Sequence, residues 1–209
     1  PEVENLLRKY YIMLWSDEVI CGFGRTGSPF GCQTMGIKPT TMSVAKALSS
    51  AYLPISAVII PDSMYQAFVE ASSDLGNFAH GFTYSGHPVC AAVALRNLEL
   101  IEERQVFAHA AKMGEVFQSR LEEYAEHPLV GNSRGAGLIG AVELVADRET
   151  GKKFDAAHGV GAFCMDQCLE HGLIVRALGD TIAICPPLLI DDKQIDQKFG
   201  KFDQAVAAT

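Results

Sequence analysis

Asp17-Glu-Val-Ile-Cys-Gly-Phe-Gly-Arg-Thr-Gly27, followed by Ser43-Val-Ala-Lys46-Ala-Leu-Ser49, is the stretch on which the fold turns. The residues before it, 11–15, are mostly apolar and predict a buried strand whose C-terminal end delivers Asp17 and Glu18. Gly22, Gly24 and Gly27 have the spacing of a dinucleotide-binding fingerprint. That fingerprint must open a helix directly after a strand, with an acid about 20 residues further on for the ribose. Here Ser28-Pro29 interrupts, and no Asp or Glu occurs between Glu18 and Asp62, so the nicotinamide reading is rejected and residues 22–31 are read as a glycine-rich loop. The same acid-free interval contains Lys46, just beyond a short strand predicted over 41–44. A lysine among small residues, with no carboxylate close in sequence, fits an amine nucleophile, because desolvation lowers its pKa. On these residues alone it fits a solvated side chain with a packed stem better.

Working outward, residues 55–60 predict a longer strand, Asp62 is placed to cap a helix running to about residue 70, and 71–86 reads as a loop. From Pro88 the pattern turns helical, with Ala91, Ala94, Leu95, Leu98 and Ile101 on one face. Met113, Val116, Phe117, Leu121 and Tyr124 form a second such face. Beyond His127-Pro128 come glycine-spaced strands over 137–145, 173–175 and 181–185, with a helix marked by Val160, Phe163, Cys164 and Cys168. The last helix opens with Asp191 and Gln194 in capping-box spacing and is predicted to bury Ile195, Phe199, Phe202 and Val206. The boundary falls inside the long helices, giving part of an α/β sheet domain over 1–105 and a smaller α+β domain over 106–209.

A net charge of −8 argues against duplex nucleic acid as a partner, since phosphate neutralisation needs clustered Lys and Arg. The longest apolar run, around 53–61, is strand-sized and holds two prolines, so no membrane span is expected. The six cysteines form no Cys-x-x-Cys pair; Cys164 and Cys168 share a helix face and are read as buried packing, in a reducing cytoplasm. The opening Pro-Glu-Val-Glu-Asn is neither a signal nor a transit peptide and lacks an initiator Met, which reads as part of a longer chain.

The ordered combination decides what single motifs do not. The Asp17–Gly27 stretch, Ala45-Lys46, Tyr52-Leu-Pro-Ile-Ser-Ala-Val and His80-Gly-Phe-Thr-Tyr-Ser-Gly-His-Pro88 together resemble the class III aminotransferases, of fold type I among the pyridoxal 5'-phosphate (PLP) enzymes. Gly172-Leu-Ile-Val-Arg-Ala and Cys185-Pro-Pro-Leu narrow the resemblance to the omega-amino acid:pyruvate branch. It runs from about residue 3 to the end and implies the C-terminal portion of the large PLP-binding domain plus the small C-terminal domain.

The resemblance implies a role for each matching residue. Lys46 would hold PLP as a Schiff base and shuttle the substrate proton. Asp17 would pair with the pyridine nitrogen and keep it protonated, which a neutral partner would not do. Val19, two residues on along the predicted strand, would pack on the ring face. Thr83 would bind the cofactor phosphate, usually of the neighbouring subunit, which implies a homodimer or higher oligomer. Arg176, just before a turn at Gly179, would clamp the substrate carboxylate with its planar fork; a surface salt bridge is the alternative. Arg25 is read as a loop anchor and His87 as a cap before Pro88, neither of them catalytic. Ala47, Ala51 and Ser56 stand where the family often has Gly, and Thr40 where it often has Asp. The family's phosphate-gripping loop and ring-stacking aromatic are not among these residues, so this segment alone is expected to be inactive.

The implied reaction is two-stage transfer of an amino group from a primary amine or omega-amino acid donor to a keto acid such as pyruvate. A PLP-dependent aminomutase, a GABA-type aminotransferase and a non-catalytic truncated paralogue are the rivals.

Overall fold

The computed structural model describes residues 2–209, which form two compact units, 2–24 with 28–105 and 25–27 with 106–209. In the first unit, helix α1 (Glu2–Lys9) precedes strand β1 (Trp15–Asp17). The short helix α2 (Gly31–Thr34), strand β2 (Thr41–Val44), a 3-10 turn over Lys46–Leu48 and strand β3 (Ala57–Ile59) follow. Helices α3 (Asp62–Leu75) and α4 (Pro88–Glu103) complete the unit. The sheet order is β1-β2-β3; β1 runs parallel to β2, with Asp17 opposite Ser43, and β3 runs antiparallel.

Several boundaries differ from expectation. The first strand begins at Trp15, not residue 11, and extends to Asp17. Helix α3 starts on Asp62 with Pro61 at its cap position, and runs on to Leu75, where Gly76 at φ 80° stops it. None of the α3 residues is buried, so the sequence beyond residue 70 has no apolar face to betray the helix. In α4 the buried residues are Ala94, Asn97 and Ile101, whereas Leu95 is 60% exposed. Large apolar side chains stand at the surface of this unit, among them Trp15, Tyr52 and Val58.

The second unit holds α5 (Val106–Glu122), β4 (Val130–Ala136), β5 (Ile139–Leu144), α6 (Val160–Glu170), β6 (Arg176–Leu178), β7 (Thr181–Ile184) and α7 (Asp192–Ala208). Its four strands form an antiparallel sheet in the order β4-β5-β7-β6. Strands β5 and β7 bury alternate residues, and Val142, Leu144, Ile182 and Ile184 face a core shared with helices α5, α6 and α7. Met113, Phe117, Leu121 and Tyr124 of the expected α5 face lie in that core, as do Ile195, Phe199, Phe202 and Val206 of α7. Asp191 and Gln194 form the expected reciprocal capping box. Cys164 and Cys168 are both fully buried in the same core. Helix α6 docks on the β6–β7 turn through Gly161, whose N–H donates to Asp180 Oδ1 at 2.9 Å; a Cβ at Gly161 would lie 2.0 Å from the Gly179 carbonyl oxygen. Arg25 anchors its loop as expected, its Nη1 donating to the carbonyls of Leu138 at 2.9 Å and Pro186 at 2.5 Å.

Candidate functional site

Parallel strands need a crossover between them, so their C-terminal ends emerge at one edge of the sheet, where α/β folds place their ligand sites. In the first unit that edge carries Asp17, the last residue of β1, and Lys46, two residues beyond the end of β2. Lys46 is three residues past Ser43, the register partner of Asp17, a span of at most about 10 Å of extended chain.

Asp17 is held in place by two bonds to Oδ1: the Val19 N–H donates at 3.0 Å and the Ser43 hydroxyl at 3.3 Å. Oδ2 has no protein partner among the described residues. Since β1 ends at Asp17, Val19 lies in a turn rather than on the strand, so the expected strand alternation does not relate the two. Their link is instead the backbone hydrogen bond from Val19.

Between them Glu18 does structural work that the sequence did not reveal. Its side chain is buried, at 1% exposure, and accepts from the N–H groups of Gly31 and Cys32, each at 2.7 Å, and from the Ser16 hydroxyl at 3.0 Å. Burial pushes the Cys32 thiol pKa up, and its hydrogen bond to Glu18 adds to the shift. Gly31 must be glycine for this closure, because a Cβ there would fall 2.7 Å from the Cβ of Cys21. Residues 22–27 form turns and the helix after them has only four residues, which agrees with rejecting a dinucleotide fingerprint.

Lys46 opens the 3-10 turn with φ 43°, in the left-handed region, and Ser50 (48°) and Ala51 (62°) follow it there. Three non-glycine residues in that region within six positions is a local concentration of strain, a feature that marks functional sites. The sequence reading expects a desolvated amine, whereas Lys46 is exposed. The reason is geometric: the residue lies past the end of β2, on a sheet edge that the described residues leave open.

Thr83 sits on an exposed turn of the same unit. Its neighbours Phe82 and Tyr84 face residues 53–56 across a groove of about 700 Å³, also lined by His87, Val89 and Cys90. His87 caps α4, its Nδ1 accepting from the Val89 N–H at 3.2 Å, with Pro88 in the first turn. Arg176 belongs to the second unit, as the first residue of β6, which spans 176–178 rather than the expected 173–175 and leads directly into the turn at Gly179. It is exposed and makes no ion pair among the described residues. The fold thus brings Asp17, Val19 and Lys46 to one sheet edge; nothing observed joins Thr83 or Arg176 to them.

A family model described as "Aminotransferase class-III" matches residues 1–206. Putrescine–pyruvate aminotransferase of Pseudomonas aeruginosa is 46% identical over 198 residues, which cover 94% of this chain and 42% of that protein. Gamma aminobutyrate transaminase 3, chloroplastic, of Solanum lycopersicum is 40% identical over 208 residues, covering 100% of this chain and 40% of the relative. The solved structure "Transaminase with L-ala" matches with a TM-score of 0.95 at 47% identity, over 99% of this chain and 49% of the other. The omega transaminase from Pseudomonas jessenii in complex with PMP matches with a TM-score of 0.94 at 45% identity, over 99% and 46%. The chain therefore spans somewhat less than half the length of the proteins it matches.

Proposed function

Because the chain belongs to the class III aminotransferases, whose cofactor is PLP, we propose that the whole protein moves an amino group from a primary amine or omega-amino acid to a keto acid such as pyruvate. The observation that carries this reading is the pairing of a lysine and an aspartate at the C-terminal ends of two adjacent parallel strands, β1 and β2. The residues fit the group: an amine in a strained turn answers its aldehyde, and the partnerless Oδ2 of Asp17 answers its ring nitrogen.

When bound, PLP supplies an electron sink for the charge left when the substrate carbon loses its proton. Asp17 would hold the ring nitrogen and, as a carboxylate, would favour its protonated form. Ser43 and the Val19 N–H hold the carboxylate by its other oxygen and so fix its angle. The Val19 side chain supplies an apolar contact for the ring. Lys46 would hold the cofactor by its aldehyde carbon, and its amine, when not so engaged, would be the group placed to carry the proton at the substrate Cα.

Thr83 would donate its hydroxyl to the cofactor phosphate of a second subunit, and the active unit would then be a homodimer or larger. Arg176, exposed and without an ion pair among the described residues, binds the carboxylate of the keto acid with two parallel hydrogen bonds. Six free thiols fit a cytoplasmic protein, and no helix among the described residues is long and apolar enough to cross a membrane.

The 40% identity to a gamma aminobutyrate transaminase favours GABA as a second donor class. The deciding experiment sets putrescine, β-alanine, GABA and an aryl amine against pyruvate and 2-oxoglutarate in the whole protein. Transfer from an amine to pyruvate, lost in Arg176→Ala for the keto acid but retained for a simple aldehyde acceptor, is the expected result. No transfer from any donor to any acceptor overturns the reading.

A further inference from the structure

We propose that Asn97 is a positioning residue for Lys46, holding the left-handed turn that carries the lysine from the buried face of α4. The inference rests on the role proposed above for Lys46 and goes beyond it.

Asn97 is 9% exposed and lies on the same helix face as the buried Ala94 and Ile101. A primary amide there offers two N–H donors and an oxygen acceptor, and a buried site exacts a cost for any left unmade. All three functions are used, and all on one loop. Nδ2 donates to the carbonyl of Ala47 at 2.8 Å and to that of Leu48 at 3.1 Å, while Oδ1 accepts from the Ser50 hydroxyl at 2.8 Å. The two carbonyl partners fix which end of the amide is nitrogen, since a carbonyl can only accept.

These bonds span the segment in which three L-residues stand at positive φ. The loop's own bonds are the Leu48 N–H to Ala45 O at 2.9 Å, the Ser49 N–H to Lys46 O at 3.2 Å, the Tyr52 N–H to Ser49 O at 3.1 Å and the Ser49 hydroxyl to Leu53 O at 2.6 Å. Those close the turn on itself but do not fasten it to another element. Asn97 does, and it does so on the two residues directly after Lys46. Its helix is in turn fixed at its start by the His87 cap and Pro88. The Cα–Cβ direction of Lys46 follows from its φ of 43°, so a turn that relaxes toward ordinary φ re-aims the amine. A misplacement of about 1 Å at a reacting group is enough to cost about a hundredfold in rate.

The test uses the whole protein loaded with PLP and reads two quantities besides turnover. The first is amide hydrogen exchange over residues 46–51. The second is the rate of cofactor release, measured for Asn97→Ala and Asn97→Asp with Lys46 present and again with Lys46→Ala. Asn97→Asp keeps the shape but turns acceptors toward two carbonyls. Ser50→Ala removes one arm at an exposed residue and serves if the Asn97 variants fail to fold.

With Lys46 present, release and loop exchange should both rise about tenfold in the Asn97 variants, and less in Ser50→Ala. In the Lys46→Ala background the Asn97 substitutions should change release by less than about twofold, because a residue acting through Lys46 has nothing left to act on. Equal fold-changes in both backgrounds, or unchanged exchange over 46–51, would show a merely structural asparagine. If Lys46→Ala alone leaves the lysine–cofactor absorbance intact, it is the role of Lys46 that fails.

Discussion

The Ser43 hydroxyl donates to Asp17 Oδ1 at 3.3 Å across the β1–β2 pair in which the two residues are register partners. The bond orients a carboxylate whose other oxygen has no protein partner among the described residues. In the role proposed for Asp17, charge should matter more than orientation. Asp17→Asn in the whole protein is expected to lower turnover by about a hundredfold or more, because a neutral amide does not hold a ring nitrogen protonated. Ser43→Ala, losing one long exposed bond, should weaken PLP binding by only a few-fold, about 1 kcal/mol. Comparable losses in steady-state assays of the two variants would contradict this ordering.

Glu18→Gln tests the buried carboxylate that follows Asp17 in the chain. Its two bonds from the Gly31 and Cys32 N–H groups are charge-assisted and buried, and an amide nitrogen in their place meets a donor with a donor. Destabilisation of roughly 2–3 kcal/mol is expected, read as a drop in thermal midpoint.

Ala51 stands at φ 62°, where a Cβ costs about 1–2 kcal/mol, and the family often has glycine there. Ala51→Gly relieves that strain but frees the unfolded chain, so the net gain should be about 0.5 kcal/mol. A fall in denaturant midpoint would show that the turn needs the methyl group.

Tyr124 in the second core donates its hydroxyl to Asp203, and burial together with this bond pushes the phenol pKa well above its usual value. The protonated phenol is favoured in the folded state, so its contribution is complete below about pH 10 and declines as pH rises above that. Tyr124→Phe should cost about 1–2 kcal/mol at neutral pH and lose less stability than the parent above about pH 10. Thermal midpoints with the same alkaline slope in both proteins would remove Tyr124 as the source.

The elements that could be read from sequence are those that bury one face. Phe117, Leu121, Phe199 and Phe202 show a helical period because a core lies under them. Strand β4, Val-Gly-Asn-Ser-Arg-Gly-Ala, is mostly exposed and carries no apolar alternation, so nothing marked it as a strand. The site was legible through the order of its motifs, which brought out Lys46 and Asp17 together. Its support was not. Asn97 left one signal, a polar residue on the buried face of an otherwise apolar stripe with Ala94 and Ile101, while the exposed Leu95 drew the expected face to one side of it. Glu18 left none, because its partners Gly31 and Cys32 are backbone donors thirteen and fourteen residues away.

Borohydride reduction of the PLP-loaded whole protein, followed by peptide mapping, tests the central claim most directly. A pyridoxyl group fixed to Nζ of Lys46, in near one-to-one yield and absent from Lys46→Ala, is the outcome predicted by an amine held at the edge shared with Asp17. A stable adduct on a different lysine, with residue 46 recovered unmodified, would contradict it.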